Sequence, residues 1–521
     1  MKRLVSAALA FALGVLQALA GAPPIPPSAP LSLYQPNIVT PATVRQVTNR
    51  TAIPSIISGS NTKLNGRAWE MAYVPVSALK VCVPNYYVSS GVSGVETSPG
   101  GSVVAHIAVE YPTGTFKELT WTGASTGTVT ALSNGCTDLT ALGFTIPAYA
   151  KFRINYFLDW SGGAGKAVYG SWSNFCDRAN GDEFTIGTAL TDHTLDDTVL
   201  GANSGNGQVT NCWQPGAVMG LSDRSVWWLI GDSITAGVND MLSDPSGGRG
   251  LLGRAATLLG PTLNYGVPGD RATWYAANGT LRNQLAALAG AKSAVLQLGV
   301  NDLFSGARTA DNVLTDRATI RTNARTAIPG INVYDTTITP ETTSTDGFNT
   351  TANQTTVGAS ANNARAAFND FMRQGGPFNY TATCTTTASS TAVTGCSALT
   401  TTTVANGMNA TSANWSGNNA ISAVNLYAGT FTLASNATTG SSVTVTFQWP
   451  TFTTTWPLAN YAGLIDIARL VECAPNQASV LVPNGGVWCS GYVGQTDGVH
   501  PTSFTHIQVE QLLMNQLAVL R

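Results

Sequence analysis

The stretch Val226-Trp227-Trp228-Leu229-Ile230-Gly231-Asp232-Ser233-Ile234-Thr235-Ala236-Gly237 decides how this chain is read. Its short apolar run, Val226–Ile230, ends at a Gly-Asp turn and predicts a strand. That strand delivers Ser233 to the carboxyl edge of its sheet, where open α/β sheets bind ligands. Taken alone, the stretch is equally compatible with a serine that only caps a helix.

Working outward, the spacing predicts helices at Leu251–Leu259, Leu281–Leu288, Ala310–Ala327, Ala359–Arg373 and Thr502–Leu520. Strands are expected at Ala294–Leu298, Asn332–Thr337 and Gly463–Ile467. Strands alternating with helices make a parallel sheet covered on both faces. Upstream, from about Leu31 to Gly220, the pattern is β-like. Ser102–Tyr111 and Lys151–Leu158 alternate or are rich in β-branched and aromatic residues. This predicts an N-terminal β-sandwich or jelly-roll-like domain. Between Arg373 and Asp466 there is no charged residue at all. The segment reads either as a disordered or O-glycosylated linker or as a small inserted β-module. The alternation at Thr430–Leu433 and Val443–Trp449, with two cysteines, favours the module. The expected division is a leader at 1–20, a β-rich domain at 21–220, an α/β domain at 221–375 and 458–521, and an insertion at 376–457.

Three further loops carry chemistry. Asn264-Tyr265-Gly266-Val267-Pro268-Gly269-Asp270 is a glycine turn after an expected strand, and Gly269 could aim its N–H at a developing oxyanion. An ordinary tight turn is the plainer reading. Gly299-Val300-Asn301-Asp302 follows another strand, with Asn301 either an amide donor to the same oxyanion or an Asx-turn residue. Asp497-Gly498-Val499-His500-Pro501 sets a carboxylate three residues before a histidine, so Asp497 can accept from one ring nitrogen while the other faces Ser233.

Together, in this order, the four elements resemble the SGNH hydrolase family, also called GDSL-type esterases and lipases. The resemblance covers roughly residues 225–372 and 460–521. It implies a flavodoxin-like three-layer α/β/α hydrolase domain. It implies Ser233, Asp497 and His500 as catalytic residues, an oxyanion hole from Ser233, Gly269 and Asn301, and hydrolysis of esters without a cofactor or metal. Trp274, Tyr275 and Phe304 follow the oxyanion elements and are candidates for lining a substrate cleft, with core packing nearly as good an account. An imidazole base implies activity that rises with pH as His500 loses its proton. Gly162-Gly163-Ala164-Gly165-Lys166 lacks the hydroxyl and spacing of a phosphate loop. His506 is expected to pack or to lie on the surface.

Composition narrows the setting. Charged residues make up 10% of the chain and the net charge is -2, so no basic footprint for nucleic acid or anionic membrane exists. Lys2 and Arg3 precede an apolar run, Leu4 to Leu19, and Ala18-Leu19-Ala20 offers a cleavage site. This reads as a secretory signal rather than a membrane anchor, with no later span expected. The eight cysteines, Cys82, Cys136, Cys176, Cys212, Cys384, Cys396, Cys473 and Cys489, suit disulfides in an exported protein better than thiolate metal binding. Pairing of neighbours along the chain is one connectivity among many. The expected partner is an ester substrate, acylated polysaccharide foremost. A lipid or polyester esterase and a phage-tail or adhesin-like binding protein are the other readings.

Overall fold

The computed structural model describes residues 38–520, apart from positions 90, 171–176, 178–179, 201–211, 241–243, 378, 398, 400–403, 426–427, 450–451, 474–484 and 494–496. The expected signal peptide and Cys176, with its pairing to Cys212, lie outside the described residues.

The first part of the chain forms two large antiparallel sheets and two short two-stranded ones, Ile56–Ile57 with Val168–Tyr169 and Tyr87–Val88 with Glu96–Thr97. One large sheet contains Ile38–Gln46, Val76–Pro84 and Ala217–Arg224, with the shorter strands Asn134–Cys136 and Thr140–Ile146. The other contains Lys63–Met71, Val103–Glu110, Lys151–Asp159 and Glu183–Gly187, with Phe116–Glu118 and Thr126–Val129 at one edge. Inward residues of both sheets, among them Val81, Leu79, Ile107, Ile154 and Leu158, fall in one buried cluster. The strand Ala217–Arg224 pairs with Ile38–Gln46, so the expected boundary at 220/221 falls inside a strand. A single residue, Ser225, separates it from the next strand, which belongs to another sheet.

That sheet is five-stranded and parallel. Its strands are β1 (Val226–Gly231), β2 (Thr262–Asn264), β3 (Ala291–Gln297), β4 (Asn332–Thr336) and β5 (Tyr461–Ile465), in the order β2-β1-β3-β4-β5. This is the flavodoxin-like order, with its switch point between β1 and β3. Every residue of β1 is buried, as a central strand covered on both faces must be. The helices are α1 (Ser233–Ala236), α2 (Gly250–Thr257), α3 (Ala272–Asn278), α4 (Thr280–Leu288), α5 (Val300–Phe304), α6 (Ala310–Ala327), α7 (Ala359–Gln374), α8 (Ile467–Val471) and α9 (Ser503–Val519). They fall into two packed groups. In one, α2 contacts α9; in the other, α6 contacts α3, α4 and α7. The sheet lies between them, which makes three layers.

Between α7 and β5 the chain builds a closed six-stranded antiparallel barrel spanning residues 379–448. Its longest strand is Trp415–Asn425, and its interior holds Val393, Met408, Phe431, Val445 and Phe447. Cys384–Cys396 bridges this barrel, Cys82–Cys136 the N-terminal sheet, and Cys473–Cys489 the short strand pair of Glu472–Cys473 with Val487–Trp488. No described helix is long and apolar enough to cross a membrane.

Candidate active site

Four loops meet at the carboxyl edge of the sheet, around the β1/β3 switch point. The first is the β1–α1 turn. Asp232 caps α1, accepting from the Ile234 N–H at 3.0 Å, and its burial lifts its carboxyl to about 7. Ser233 opens the helix and is almost wholly buried. Thr235 donates its hydroxyl to Gln297 at 2.6 Å, tying this turn to the end of β3.

The second loop follows β2. Gly266 lies so close to α1 that a Cβ there would stand 2.5 Å from the Ala236 nitrogen and 2.9 Å from the Asp232 carbonyl oxygen, so only glycine fits. Gly269 has φ +78°, a left-handed conformation that glycine adopts without strain. The turn is closed by the Asp270 N–H, which donates to the Val267 carbonyl at 3.0 Å. The third loop follows β3. The Asn301 side-chain amide donates to the Asp270 carbonyl at 3.0 Å, placing it against the Gly269 turn. Its neighbour Asp302 accepts from the N–H groups of Ala272 and Thr273 at 2.7 and 3.2 Å, which fixes the start of α3.

The fourth loop precedes α9. His500 Nε2 lies 2.7 Å from Ser233 Oγ, and His500 Nδ1 lies 2.8 Å from Asp497 Oδ2. With Nδ1 protonated toward the carboxylate, Nε2 is the acceptor for the serine hydroxyl, a tautomer inferred from the network. The other Asp497 oxygen accepts from the Val499 and His500 N–H groups at 2.9 and 3.0 Å. Burial would raise the Asp497 carboxyl, but these bonds outweigh it and hold it at about 2. The loop is anchored from behind, because the Trp488 indole donates to the Gly498 carbonyl at 2.9 Å beside the Cys473–Cys489 bridge.

The structure therefore brings Ser233, Gly269, Asn301, Asp497 and His500 to one edge of the sheet. The aromatic candidates divide. Trp274 is half-buried beneath the Arg271 guanidinium, 4.4 Å from its ring, and Phe304 packs partly against the core. Tyr275 is a correction: it is 1% exposed, its hydroxyl is bonded to Asn283 at 2.9 Å, and its ring lies 4.0 Å from Arg282. It belongs to the core because helix α3 turns that face toward α4. His506 is fully buried, and burial drives its ring down to about 4, so it packs rather than titrates near neutrality.

Sequence reasoning missed a buried support. Arg282 on α4 donates to Asp270 at 2.6 Å and to Glu96 at 3.2 Å, both side chains being almost fully enclosed. Glu96 also accepts from the N–H groups of Leu281 and Arg282 at 2.7 and 2.9 Å, and the Gly91 N–H donates to the Pro268 carbonyl at 3.1 Å. A segment of the N-terminal part thus grips the Gly269 turn. The only signal for this in the sequence was an acidic residue directly after Gly269, with nothing to reveal its partner.

Residues 229–383 match the GDSL-like Lipase/Acylhydrolase family. No curated protein matches the chain. Among solved structures, it is similar to AlinE4, an SGNH-hydrolase family esterase, at 20% identity over 22% of this chain and 59% of that one, with TM-score 0.18. It is similar to a possible lipase from Chitinophaga pinensis DSM 2588 at 14% identity over 57% and 96%, with TM-score 0.24. It is similar to a family two carbohydrate esterase from Clostridium thermocellum, in complex with cellohexaose, at 12% identity over 58% and 79%, with TM-score 0.20. The chain spans 59% of the length of the first of these. The family match identifies residues 229–383 as an SGNH-type (GDSL-like lipase/acylhydrolase) domain, and the sheet order and the four loops agree with it.

Proposed function

We propose that this protein is a secreted serine esterase that removes acyl groups, acetyl above all, from carbohydrate. The observation that carries the reading is the unbroken chain Asp497–His500–Ser233, with links of 2.8 and 2.7 Å. A serine hydroxyl is a poor nucleophile until a neighbouring base takes its proton. His500 Nε2 accepts that proton as Ser233 Oγ attacks the ester carbonyl. Asp497 stays ionised, fixes the ring tautomer and stabilises the imidazolium. The N–H groups of Ser233 and Gly269 and the Asn301 amide receive the oxyanion. Removing one such donor costs about 3 kcal/mol of barrier. His500 then protonates the leaving alcohol, and water, activated by the same ring, releases the acid and restores Ser233.

Secretion is supported by the N-terminal Lys-Arg-apolar pattern and by the three disulfides among described residues. We read the two large N-terminal sheets as a β-sandwich and the barrel as an inserted module. A lipid or polyester substrate is favoured by one observation: Phe504 and Ile507, just beyond His500, are 56% and 46% exposed. A panel of p-nitrophenyl acetate against long-chain esters, then acetylated xylan against lipid emulsion, separates the two substrate classes. Equal turnover of p-nitrophenyl acetate by the parent and Ser233→Ala would remove the catalytic reading and leave a binding protein.

A further inference from the structure

At the junction of the barrel and the hydrolase domain lies a cleft of about 190 Å³. Helix α7 leads into the barrel, and the barrel leads back into β5. Ser233, Gly269, Asn301, Asp497 and His500 are not among the residues that line the cleft.

Its walls are made of side-chain amides and aromatic rings. Asn379 and Asn409 are both in register with Gln448, so the three amides form a row across three adjacent strands and share a face. Asn418 extends the row, accepting from the Gln448 amide at 3.3 Å. Adjacent strands are about 4.8 Å apart, so the amides are evenly spaced along the wall. Asn379 and Asn418 are exposed, and Asn409 and Gln448 half-buried. Trp449 and Phe452, each half-buried, line the same cleft. The Trp449 indole N–H donates to Asp370 of α7 at 2.8 Å, which fixes the ring across the junction.

The chemistry of this lining selects a ligand class. An amide both donates and accepts, as a sugar hydroxyl does, and an indole or phenyl face packs against the C–H face of a sugar ring. No charged side chain occurs from 374 to 465, so the barrel offers an ionic ligand no counter-charge. The only lining carboxylate, Asp370, is bonded to Trp449. A lipid would have to desolvate four amides without replacing their hydrogen bonds, which is unfavourable. We propose that the amide row and Trp449 form a binding site for uncharged glycan chains, built from residues other than Ser233, Asp497 and His500, that anchors the protein to a polysaccharide. This goes beyond the esterase reading and does not rest on it.

The test is affinity electrophoresis of the full chain in gels containing hydroxyethyl cellulose, glucomannan or neutral xylan, with tryptophan fluorescence titration by cellohexaose. Retardation by at least one polymer is expected. The double variant Asn409→Ala/Asn418→Ala and the single variant Trp449→Ala are each expected to weaken it at least ten-fold, while p-nitrophenyl acetate turnover stays within two-fold of the parent. Should Trp449→Ala disturb the barrel, the double variant, which changes only lining amides, decides alone. No retardation by any of the three polymers overturns the proposal, as does unchanged retardation of the double variant. Equal, amide-dependent retardation by polygalacturonate overturns the uncharged ligand class.

Discussion

The N-terminal sheets and the inserted barrel both flank the hydrolase domain, but they are joined to it in opposite ways. Ile53, Tyr86, Val88 and Met219 of the N-terminal part sit in the same buried cluster as β1 and β3. Backbone bonds also cross, from the Gln46 N–H to the Ala289 carbonyl at 2.9 Å and from the Thr262 N–H to the Thr48 carbonyl at 3.1 Å. The barrel instead has a core of its own and meets its host through a rim. There, Trp449 bonds Asp370, Phe452 packs against Phe371 with ring centres 4.8 Å apart, and Thr454 bonds Asp311. The contrast separates a partner that packs into the core of the parallel sheet from a barrel hung on a surface connection, where insertions are tolerated.

The sharpest way to break that contrast is at Arg282. Replacing it by methionine leaves Asp270 and Glu96 as buried carboxylates without a cation, which costs about 3–5 kcal/mol. Denaturant unfolding should show this loss in the transition of the N-terminal and hydrolase parts, with turnover of p-nitrophenyl acetate largely abolished. A normal transition and normal turnover would mean that the N-terminal grip on the Gly269 turn is dispensable. Glu96 probes the same grip more gently. Since Glu96 acts through Arg282 and Asp270, Glu96→Ala is expected to lower kcat about ten-fold with KM little changed, because small displacements of a catalytic group are costly. Glu96→Gln, which retains an acceptor for the α4 N–H groups, should recover part of the loss. Steady-state kinetics on both variants decides this.

Acid should separate the regions next. Asp497 is held at about 2, against about 3.9 for a free aspartate. Its contribution to stability is present above pH ~4 and is lost as pH falls from there toward 2. The gap in unfolding temperature between the parent and Asp497→Asn should therefore close over that window. The barrel has no Asp, Glu, Lys, Arg or His from 374 to 465, so no such group there can bind protons differently on unfolding. Its own transition should stay level from pH 3 to 9 by calorimetry, and a marked shift would show that it unfolds with its host. The smallest effect on catalysis is expected from Cys384→Ser with Cys396→Ser. Losing that short loop closure lowers barrel stability by about 3 kcal/mol and leaves p-nitrophenyl acetate turnover unchanged.

Much of the hydrolase domain was legible in the residues themselves. Helix α6 occupies the expected Ala310–Ala327, and β1 differs from the expected strand by one residue. Long periodic segments carry their own signal. Short ones do not: α3, α5 and the barrel strand Trp415–Asn425 were not anticipated, because seven or five residues define no period and the barrel strand is rich in Asn and Ser. Ser233, Gly269, Asn301, Asp497 and His500 could be singled out because each sits in a local turn whose chemistry is written in adjacent residues.

Which loops carry reactive groups, and which segments repeat as strand and helix, can be read along the chain. That Tyr275 is core, that the strand after residue 216 belongs to the N-terminal sheet, and that Glu96 reaches Arg282 across 186 positions depends on the folded arrangement. Periodicity and turn chemistry are short-range properties of the chain. Buried charge pairing is not, since a carboxylate finds its cation only after burial has raised the cost of leaving either one alone.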